Sequence, residues 1–345
     1  MPATTRRPRS TETVTVLESF PPPRATSVNP FTLQLAESLR DAGVDVRYFR
    51  WRDALFGRYD VFHVHWPENL AAGRTPVRAL VRQALTALLI GRLVLSRRPL
   101  VRTVHNLDRP EGLGRGERAL LDAIDRVTAL RIVLNDHTPI PPAAASATIV
   151  HPHFREWFAD FERQEPVHGR LGFVGRIRRY KGVEALVAAV SATPGVTARI
   201  GGYPSTPELA AEVERLATPS GRIVLDFGFI SDALLVDIVT SSELVVLPYR
   251  VMHNSAAALT ALSLDRPVLV PSNAVTEALR DEVGSDWVHT FHGDLAPADI
   301  ERALAAVRSA PRGARPRLVG RTWELSASGH VAAFTRALSR DRGAA

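Results

Sequence analysis

The chain has 345 residues, a formal net charge of +7 and no cysteine. The absence of cysteine excludes a disulfide framework and a thiolate metal site, and the length favours two domains of roughly 150 residues. No run of about 18 uncharged apolar residues occurs, so we expect no membrane-spanning helix.

Residues 1–12 are polar, carry arginine and contain no apolar core of a signal peptide. We therefore expect a disordered tail and a cytoplasmic protein. Lys181 is the only lysine, and arginine supplies nearly all other positive charge. An ammonium and a guanidinium are not interchangeable at a tight phosphate site, so this lysine is a candidate functional residue.

Apolar strand-like and amphipathic helix-like segments alternate along the first half. A helix is predicted from Asn29, an N-cap residue followed by Pro30, to Gly43. Further helices are predicted over 75–95 and 117–129. Strands are predicted over 13–17, 44–49, 60–65, 100–105, 131–134 and 148–151.

A polar segment, 161–169, is predicted to be a linker, and a second alternating series follows. Its strands are predicted over 170–174, 197–200, 222–226, 244–247 and 267–270. Its helices are predicted over 183–192, 207–216, 231–240, 255–264 and 273–282, with two more over 299–307 and 322–338. Alternation of this kind is typical of parallel sheets with right-handed crossovers.

We therefore predict an α/β protein with two Rossmann-like, doubly wound domains, which would place ligands in a cleft at the carboxyl ends of their strands. The predicted domains cover 13–165 and 166–320, and residues 321–345 are predicted to form a last helix.

The most informative motif is GFVGRIRRYKGV, residues 172–183. An apolar strand ends at Gly175, where the backbone can approach a ligand closely. Arg176 follows at once, and Lys181 stands just before a helix. Two cations at the carboxyl end of a parallel strand can bind one diphosphate from two sides. The alternative is a solvated basic loop.

This motif resembles the FVGR…KG signature of retaining enzymes in glycosyltransferase family 4, which have the GT-B fold. The segments GGY (201–203), DFGFIS (226–231) and LVVLPYR (244–250) resemble that family's flanking turns and strand. The resemblance implies that Arg176 and Lys181 bind the donor's phosphates and stabilise the departing nucleoside diphosphate. It also implies that 13–165 is the acceptor domain, that 166–320 is the nucleotide-sugar-binding domain, and that the helix over 321–345 crosses back to the first domain.

The sequence departs from that family where it usually has the E-x7-E pair, because the aligned positions are Met252 and Thr260. Sugar identity and retaining stereochemistry are therefore open. Asn254 or Ser255 can still cap the next helix and offer backbone N–H groups to phosphate. The predicted donor-binding residues are Gly175, Arg176, Lys181, Tyr249, Asn254, Ser255 and Ala256.

In the first half, RTVHN ends a predicted strand and resembles the family's TVHD-type motif, which makes His105 a candidate catalytic residue. A hydrogen-bonded structural imidazole is the alternative. Asp108 or Glu111 is a candidate general base if the enzyme inverts. We count Arg176 and Lys181 as catalytic with His105 and Asp108.

The run DVFHVHWPEN, residues 60–69, puts His63 and His65 on one face of a strand, with Glu68 beyond its end. This pattern could form a metal triad, but no further ligand joins it and no DxD motif occurs, so we predict neither metal nor cofactor. The run resembles mannosyltransferases that build lipid-linked glycans. The predicted acceptor-side residues are His65, Trp66, Glu68 and Asn106.

No acidic residue lies between Glu68 and Asp108, and the arginines there are Arg74, Arg78, Arg82, Arg92, Arg97, Arg98 and Arg102. Such a stretch suits nucleic acid, anionic lipid or a phosphorylated substrate. The chain lacks the interleaved aromatic and basic residues of nucleic-acid-binding modules. We expect a peripheral membrane contact through 74–102, at the inner face of the cell membrane; the alternative is an ordinary core helix.

The sequence thus predicts a glycosyltransferase that moves a sugar from a nucleotide-diphosphate donor to a glycan or lipid-linked glycan. GDP-mannose is the expected donor from the resemblance. The alternatives are another GT-B enzyme, such as a nucleotide-sugar epimerase, an inactive glycosyltransferase-like partner subunit, or a nucleic-acid-binding protein.

Overall fold

A computed structural model describes residues 13–23, 29–73, 75–110, 112–309 and 315–343, with only the backbone described for 341–343. The chain divides into two compact units. Unit 1 comprises Met1–Val150 and Trp323–Ala345, and unit 2 comprises His151–Thr322. The predicted tail, Arg74 and Glu111 lie outside the described residues.

Unit 1 contains a six-stranded parallel sheet with the strand order β2-β1-β3-β4-β5-β6. Its strands are β1 (Thr15–Glu18), β2 (Asp45–Arg47), β3 (Val61–Val64), β4 (Leu100–Val104), β5 (Thr128–Val133) and β6 (Ser146–Thr148). Its helices are α1 (Pro30–Asp41), α2 (Trp51–Phe56), α3 (Glu68–Ala71), α4 (Pro76–Leu95), α5 (Arg115–Val127) and, from the end of the chain, α12 (Trp323–Gly343).

Helix α1 begins where the sequence predicted, because the Asn29 side chain accepts a hydrogen bond from the backbone N–H of Phe31 at 3.0 Å. Its buried face carries Phe31 and Leu35. Helix α12 packs on α1 within this unit, where Trp323 meets Phe31 with ring centroids 5.8 Å apart. The last helix is therefore part of the core of unit 1.

Unit 2 contains a second six-stranded parallel sheet, ordered β12-β11-β10-β7-β8-β9. Its strands are β7 (Val167–Val174), β8 (Thr197–Gly202), β9 (Ile223–Phe227), β10 (Ser242–Val246), β11 (Val268–Pro271) and β12 (Val288–Phe291). Its helices are α6 (Val183–Ala192), α7 (Pro207–Ala217), α8 (Asp232–Thr240), α9 (Ala256–Ser263), α10 (Ala274–Val283) and α11 (Pro297–Ser309).

The structure differs from the sequence prediction at short or edge elements. Helices α2 and α3 and the edge strand β12 were not predicted, since segments this short show too few periods of a hydrophobic pattern. Strand β6 covers Ser146–Thr148 instead of 148–151. The predicted linker 161–169 ends inside a strand, because β7 begins at Val167.

Within the described ranges, no helix combines the length and the apolar character needed to cross a lipid bilayer.

The glycines that end β7 and β8 allow two backbone segments to meet. A Cβ built on Gly202 would lie 1.9 Å from the carbonyl oxygen of Gly175. The N–H of Gly175 donates to the carbonyl of Gly201 at 3.0 Å. Any side chain at residue 202 would push the turn after β7 out of place.

We predict that Gly202→Ala destabilises unit 2 by about 1–3 kcal/mol, because the added methyl must displace backbone. The measurement is the urea unfolding midpoint. Gly320→Ala is the control, since a Cβ there meets nothing within 4 Å, and it should change stability by less than about 0.5 kcal/mol. Equal midpoints for both variants would contradict the close approach.

Candidate active site

A buried carboxylate joins three histidines at the carboxyl edge of the unit 1 sheet. Glu18 ends β1, and its Oε1 lies 3.0 Å from Nδ1 of His63. Its Oε2 lies 3.2 Å from Nε2 of His65. Nδ1 of His65 lies 2.9 Å from Nε2 of His105, which follows β4. Nε2 of His63 lies 2.8 Å from the Thr103 hydroxyl. Parallel pairing of β1, β3 and β4 brings these side chains to one edge.

The charge states in this cluster follow from burial and hydrogen bonding. Burial would raise the pKa of Glu18, but the two imidazoles outweigh it and lower the pKa to about 2. Burial and the neighbouring His63 lower the pKa of His65 to about 4, despite the hydrogen bond to Glu18. At neutral pH, Glu18 is therefore a carboxylate and His65 a neutral imidazole.

One nitrogen or oxygen atom from each of Glu18, His63 and His65 lies within 4.8 Å of the others, a spacing at which such atoms could hold a metal ion. All three side chains are fully buried or nearly so. Each of the atoms concerned is already at hydrogen-bond distance from another member of the cluster. The proximity of these atoms follows from the hydrogen bonds among the same side chains.

A cavity of about 200 Å³ lies beside this network within unit 1. Trp66 stacks on the His105 ring, with centroids 4.6 Å apart and planes 18° apart. Phe31 contacts the same ring edge-on at 5.3 Å, so the imidazole is held on two sides. The predicted residues that line the cavity are His65, Trp66, Glu68, His105, Asn106 and Asp108.

The sequence associated Glu68 with the histidine pair, but the carboxylate that binds both imidazoles is Glu18. Glu68 instead begins α3. Glu18, Thr103 and the buried His330 of α12 were not singled out. Of these, Glu18 left a weak signal in the sequence, as an acidic residue directly after the apolar strand predicted over 13–17.

In unit 2, the turn after β7 brings Gly175, Lys181 and Tyr249 together. A Cβ on Gly175 would lie 3.2 Å from the Lys181 ammonium, and its φ of +145° favours glycine. The Lys181 Nζ lies 4.8 Å from the centroid of the Tyr249 ring. A Cβ on Gly182 would lie 2.2 Å from the carbonyl of Pro248, so the Lys-Gly pair packs directly on the following loop.

Three cations gather at this turn. Burial, then the charges of Arg178 and Arg176, lower the pKa of Lys181 to about 8. None of these three side chains forms an ion pair with a carboxylate in the described part of the chain. Arg179 differs, because it pairs with Glu184 at 3.2 Å and Glu212 at 2.7 Å. The unpaired cations form a local positive field suited to an anion.

The loop after β10 supplies the remaining predicted donor residues. Ser255 is the N-cap of α9 and accepts a hydrogen bond from the N–H of Ala258 at 3.2 Å. Asn254 precedes Ser255, and Ala256 is the first helical residue. Met252, at a position where family 4 carries glutamate, is buried. The helix therefore offers N–H groups without a carboxylate at either E-x7-E position.

Another cavity in unit 2, of about 170 Å³, is lined by Gly182 and Tyr249 together with Glu184, Glu212 and Asp294. Arg179 and Arg250 also line it, but Arg179 is paired with Glu184 and Glu212, so the cavity has three carboxylates against two guanidinium groups. The cation turn is therefore the better candidate for a donor site.

The fold is shared with solved glycosyltransferase structures. The catalytic domain of Arabidopsis thaliana starch synthase IV bound to ADP and acarbose gives a TM-score of 0.62 at 12% identity, covering 95% of this chain and 99% of that one. HepE from Anabaena in complex with UDP and glucose gives 0.59 at 13%, covering 96% and 98%. These matches and the two six-stranded parallel sheets show that the chain has the GT-B fold of glycosyltransferases.

No family model matches the sequence. GDP-mannose:glycolipid 4-beta-D-mannosyltransferase from Xanthomonas campestris pv. campestris is 42% identical over 334 residues, which cover 96% of this chain and 95% of the relative. The chain belongs to the family of this mannosyltransferase, and it is a nucleotide-sugar-dependent glycosyltransferase.

We predict that Lys181→Ala lowers kcat/KM for sugar transfer by at least about 10²-fold, because one preorganised charge at the leaving group is lost. The melting temperature without ligand should not fall, since a buried charge among like charges is removed. Initial transfer rates are the measurement. Arg179→Ala is the matched control, and its rate should stay within about threefold of wild type.

Because Lys181 titrates, we also predict that the affinity for nucleoside diphosphate depends on pH. With a pKa of about 8 in the free protein, the ammonium is lost as pH rises through 8, so nucleoside diphosphate should bind about tenfold more weakly at pH 9 than at pH 7. Lys181→Arg should remove this dependence, because guanidinium stays charged. Affinity that is flat with pH in the wild type would count against Lys181 as a phosphate ligand.

Proposed function

We propose that this chain transfers mannose from GDP-mannose to a lipid-linked glycan, and that transfer inverts the anomeric configuration. The activity of the Xanthomonas relative, a GDP-mannose:glycolipid 4-beta-D-mannosyltransferase, supports this substrate pair. Mannose is α-linked in GDP-mannose, so formation of a β-mannoside requires inversion. The lack of glutamate at Met252 and Thr260 fits a departure from the retaining family 4 enzymes.

The observation that carries the donor side is the cation turn of unit 2. Arg176 and Lys181 would bind the diphosphate, and the backbone N–H groups that follow Asn254 and Ser255 at the start of α9 would add dipoles. As the bond from sugar to phosphate breaks, negative charge grows on the leaving diphosphate. Fixed cations stabilise that charge without reorganising, which lowers the barrier.

The acceptor side is assigned to the cavity of unit 1. A single displacement needs a base that takes the proton of the acceptor hydroxyl as oxygen attacks the anomeric carbon. His105 and Asp108 both line the cavity. We assign the base to His105, because Trp66 and Phe31 hold its ring in one orientation, whereas Asp108 is exposed.

No metal or cofactor enters this proposal. The leaving group is stabilised by side-chain cations and backbone dipoles, the role that a divalent ion has in other transferases.

The test combines ligand-induced stabilisation with product analysis. We expect GDP-mannose to raise the melting temperature more than UDP-glucose, since a ligand that binds only the native state stabilises it. With glycolipids extracted from the organism that produces this protein as acceptor, the enzyme should transfer labelled mannose. Transfer should continue when EDTA removes divalent ions, and NMR should show the β configuration in the product.

Other outcomes separate the alternatives. Conversion of the donor sugar without an acceptor would indicate an epimerase. Absence of both binding and transfer with every nucleotide sugar would indicate an inactive partner subunit. An α-configured product would contradict the inverting step alone.

The proposal includes contact with the inner face of the cell membrane through α4. An apolar stripe runs along the solvent side of this helix. Val77 is 72% exposed and Leu95 is 88% exposed. At 3.6 residues per turn, five exposed apolar side chains fall on one face. They are Val77, Leu80, Val81, Leu88 and Leu95. Val94 is also 56% exposed, but it lies about 100° away around the helix.

The charges around this stripe favour an anionic bilayer over a second protein copy, although fewer arginines are available than the sequence indicated. Arg92 donates to the carbonyl of Ala54 at 2.6 Å, Arg102 pairs with Asp125, and Arg82 and Arg98 bind backbone carbonyls. Arg78 and Arg97 remain exposed and unpaired within the described residues, near the two ends of the stripe.

We predict that the double variant Leu88→Glu/Leu95→Glu loses co-sedimentation with phosphatidylglycerol vesicles, because each buried Leu contributes about 1.5–3 kcal/mol to insertion. Its stabilisation by GDP should be unchanged. Val319→Glu is the control, since Val319 is 83% exposed in unit 2, and it should keep vesicle binding. The result could instead be that the wild type is a dimer that does not bind vesicles and that the double variant is a monomer. The apolar stripe would then contact a second copy of the chain and not a bilayer.

A further inference from the structure

The hydrogen bonds at the edge of the unit 1 sheet form a directed chain from Glu18 through His65 to His105. An ionised carboxylate can only accept hydrogen bonds. Oε2 of Glu18 lies 3.2 Å from Nε2 of His65, so that nitrogen carries the proton. The His65 imidazole is neutral, and its other nitrogen, Nδ1, is therefore an acceptor.

The same logic fixes the next ring. Nδ1 of His65 lies 2.9 Å from Nε2 of His105. Since His65 accepts there, His105 must donate, and its proton is on Nε2. The basic lone pair of neutral His105 is then on Nδ1. A neutral histidine has only these two tautomers, and its hydrogen-bond partner selects between them.

We propose that Glu18 is a positioning residue which, through His65, holds His105 in the tautomer with the proton on Nε2 and so leaves Nδ1 as the base for the acceptor hydroxyl. This inference rests on the proposed inverting transfer. In that step the acceptor oxygen bonds to the anomeric carbon, and its proton moves to Nδ1 of His105. The bond from sugar to phosphate breaks, and its electron pair leaves with the diphosphate.

Glu18 also affects the charged state of His105. After proton transfer His105 is an imidazolium, and its Nε2–H still donates to His65. The carboxylate at the far end of the chain stabilises that positive charge through a neutral, polarisable ring. Solvent is kept from the inner part of the chain, since Glu18 is 0% and His65 2% exposed, so the interaction is weakly screened.

Two further histidines lie against the inner part of the chain, and at its outer end the carboxylates Glu68 and Asp108 line the same cavity as His105. His63 shares Glu18 with His65, and its ring centroid lies 4.3 Å from that of His65. His330 of α12 lies 5.5 Å from His63, and burial, then His63, lower its pKa to about 3. His330 is therefore neutral near pH 7, and Glu18 is the formal negative charge within the chain.

The test is Glu18→Gln, which keeps the shape of the side chain. A carboxamide offers one acceptor and one donor group, so it cannot accept from both His63 and His65. We expect kcat to fall about 10²- to 10⁴-fold, the range for loss of a general base or of its correct tautomer. KM for the donor and the stabilisation by GDP should stay at wild-type values, because unit 2 is untouched.

A spectroscopic measurement separates positioning from a merely structural role. Two-bond ¹H–¹⁵N spectra of the imidazoles, with His105 assigned by its loss in His105→Gln, should show the Nε2–H tautomer in the wild type. The Nδ1–H form should appear in Glu18→Leu, in which residue 18 cannot accept a hydrogen bond from Nε2 of His65. His65→Gln should lower kcat similarly, and the double variant should be no worse than either single variant, because all three break one chain.

Thr103→Val is the matched control, since Thr103 is equally buried and binds His63 but lies off the path to His105. It should lower stability while kcat stays within about threefold of wild type. If Glu18→Gln fails to fold, His65→Gln and the wild-type spectrum still decide the question.

Two results would overturn the inference while leaving the proposed function intact. One is wild-type kcat in Glu18→Gln or His65→Gln with normal transfer by the parent. The other is an Nδ1–H tautomer at His105 in the wild type. Absence of transfer by the wild type would instead contradict the proposed function, and the tautomer measurement would remain interpretable.

Discussion

The carboxylate of Glu18 is the constraint on which the first unit depends. It is fully buried, and an ion without partners in a protein interior costs several kcal/mol. Both oxygens therefore need donors, and His63 and His65 supply them. These hydrogen bonds orient both imidazoles. His65 in turn lies 2.9 Å from His105, on which Trp66 stacks at the cavity wall.

In the second unit, by contrast, a group of like charges has no partner of opposite charge among the described residues. Arg176, Arg178 and Lys181 gather at the end of a strand with no carboxylate among the described residues to neutralise them. The lowered pKa of Lys181 reflects burial first and then this repulsion. An anion that enters relieves the repulsion, so binding and charge compensation are one event. Glycines at 175 and 202 let the backbone pass close enough to hold the turn in place.

The distribution of arginine shows why composition alone misleads about surfaces. The run between Glu68 and Asp108 contains no acidic residue. However, Arg82, Arg92 and Arg98 donate hydrogen bonds to backbone carbonyls, and Arg102 forms an ion pair with Asp125. A guanidinium has five donors and satisfies carbonyls at helix and loop ends. What α4 presents to solvent is an apolar stripe with a cation near each end.

The sequence by itself determined the two doubly wound sheets, because alternating hydrophobic patterns and caps such as Asn29 and Ser255 are local signals. It also pointed to Arg176 and Lys181, whose spacing after Gly175 lies within one motif. Tertiary structure alone decided which carboxylate meets the histidines. Glu18, His65 and His105 come from strands β1, β3 and β4, and only parallel pairing brings their ends together. Glu68 is nearer to the two histidines of β3 in sequence, but it lies on helix α3. Proximity along the chain does not predict contact across a sheet.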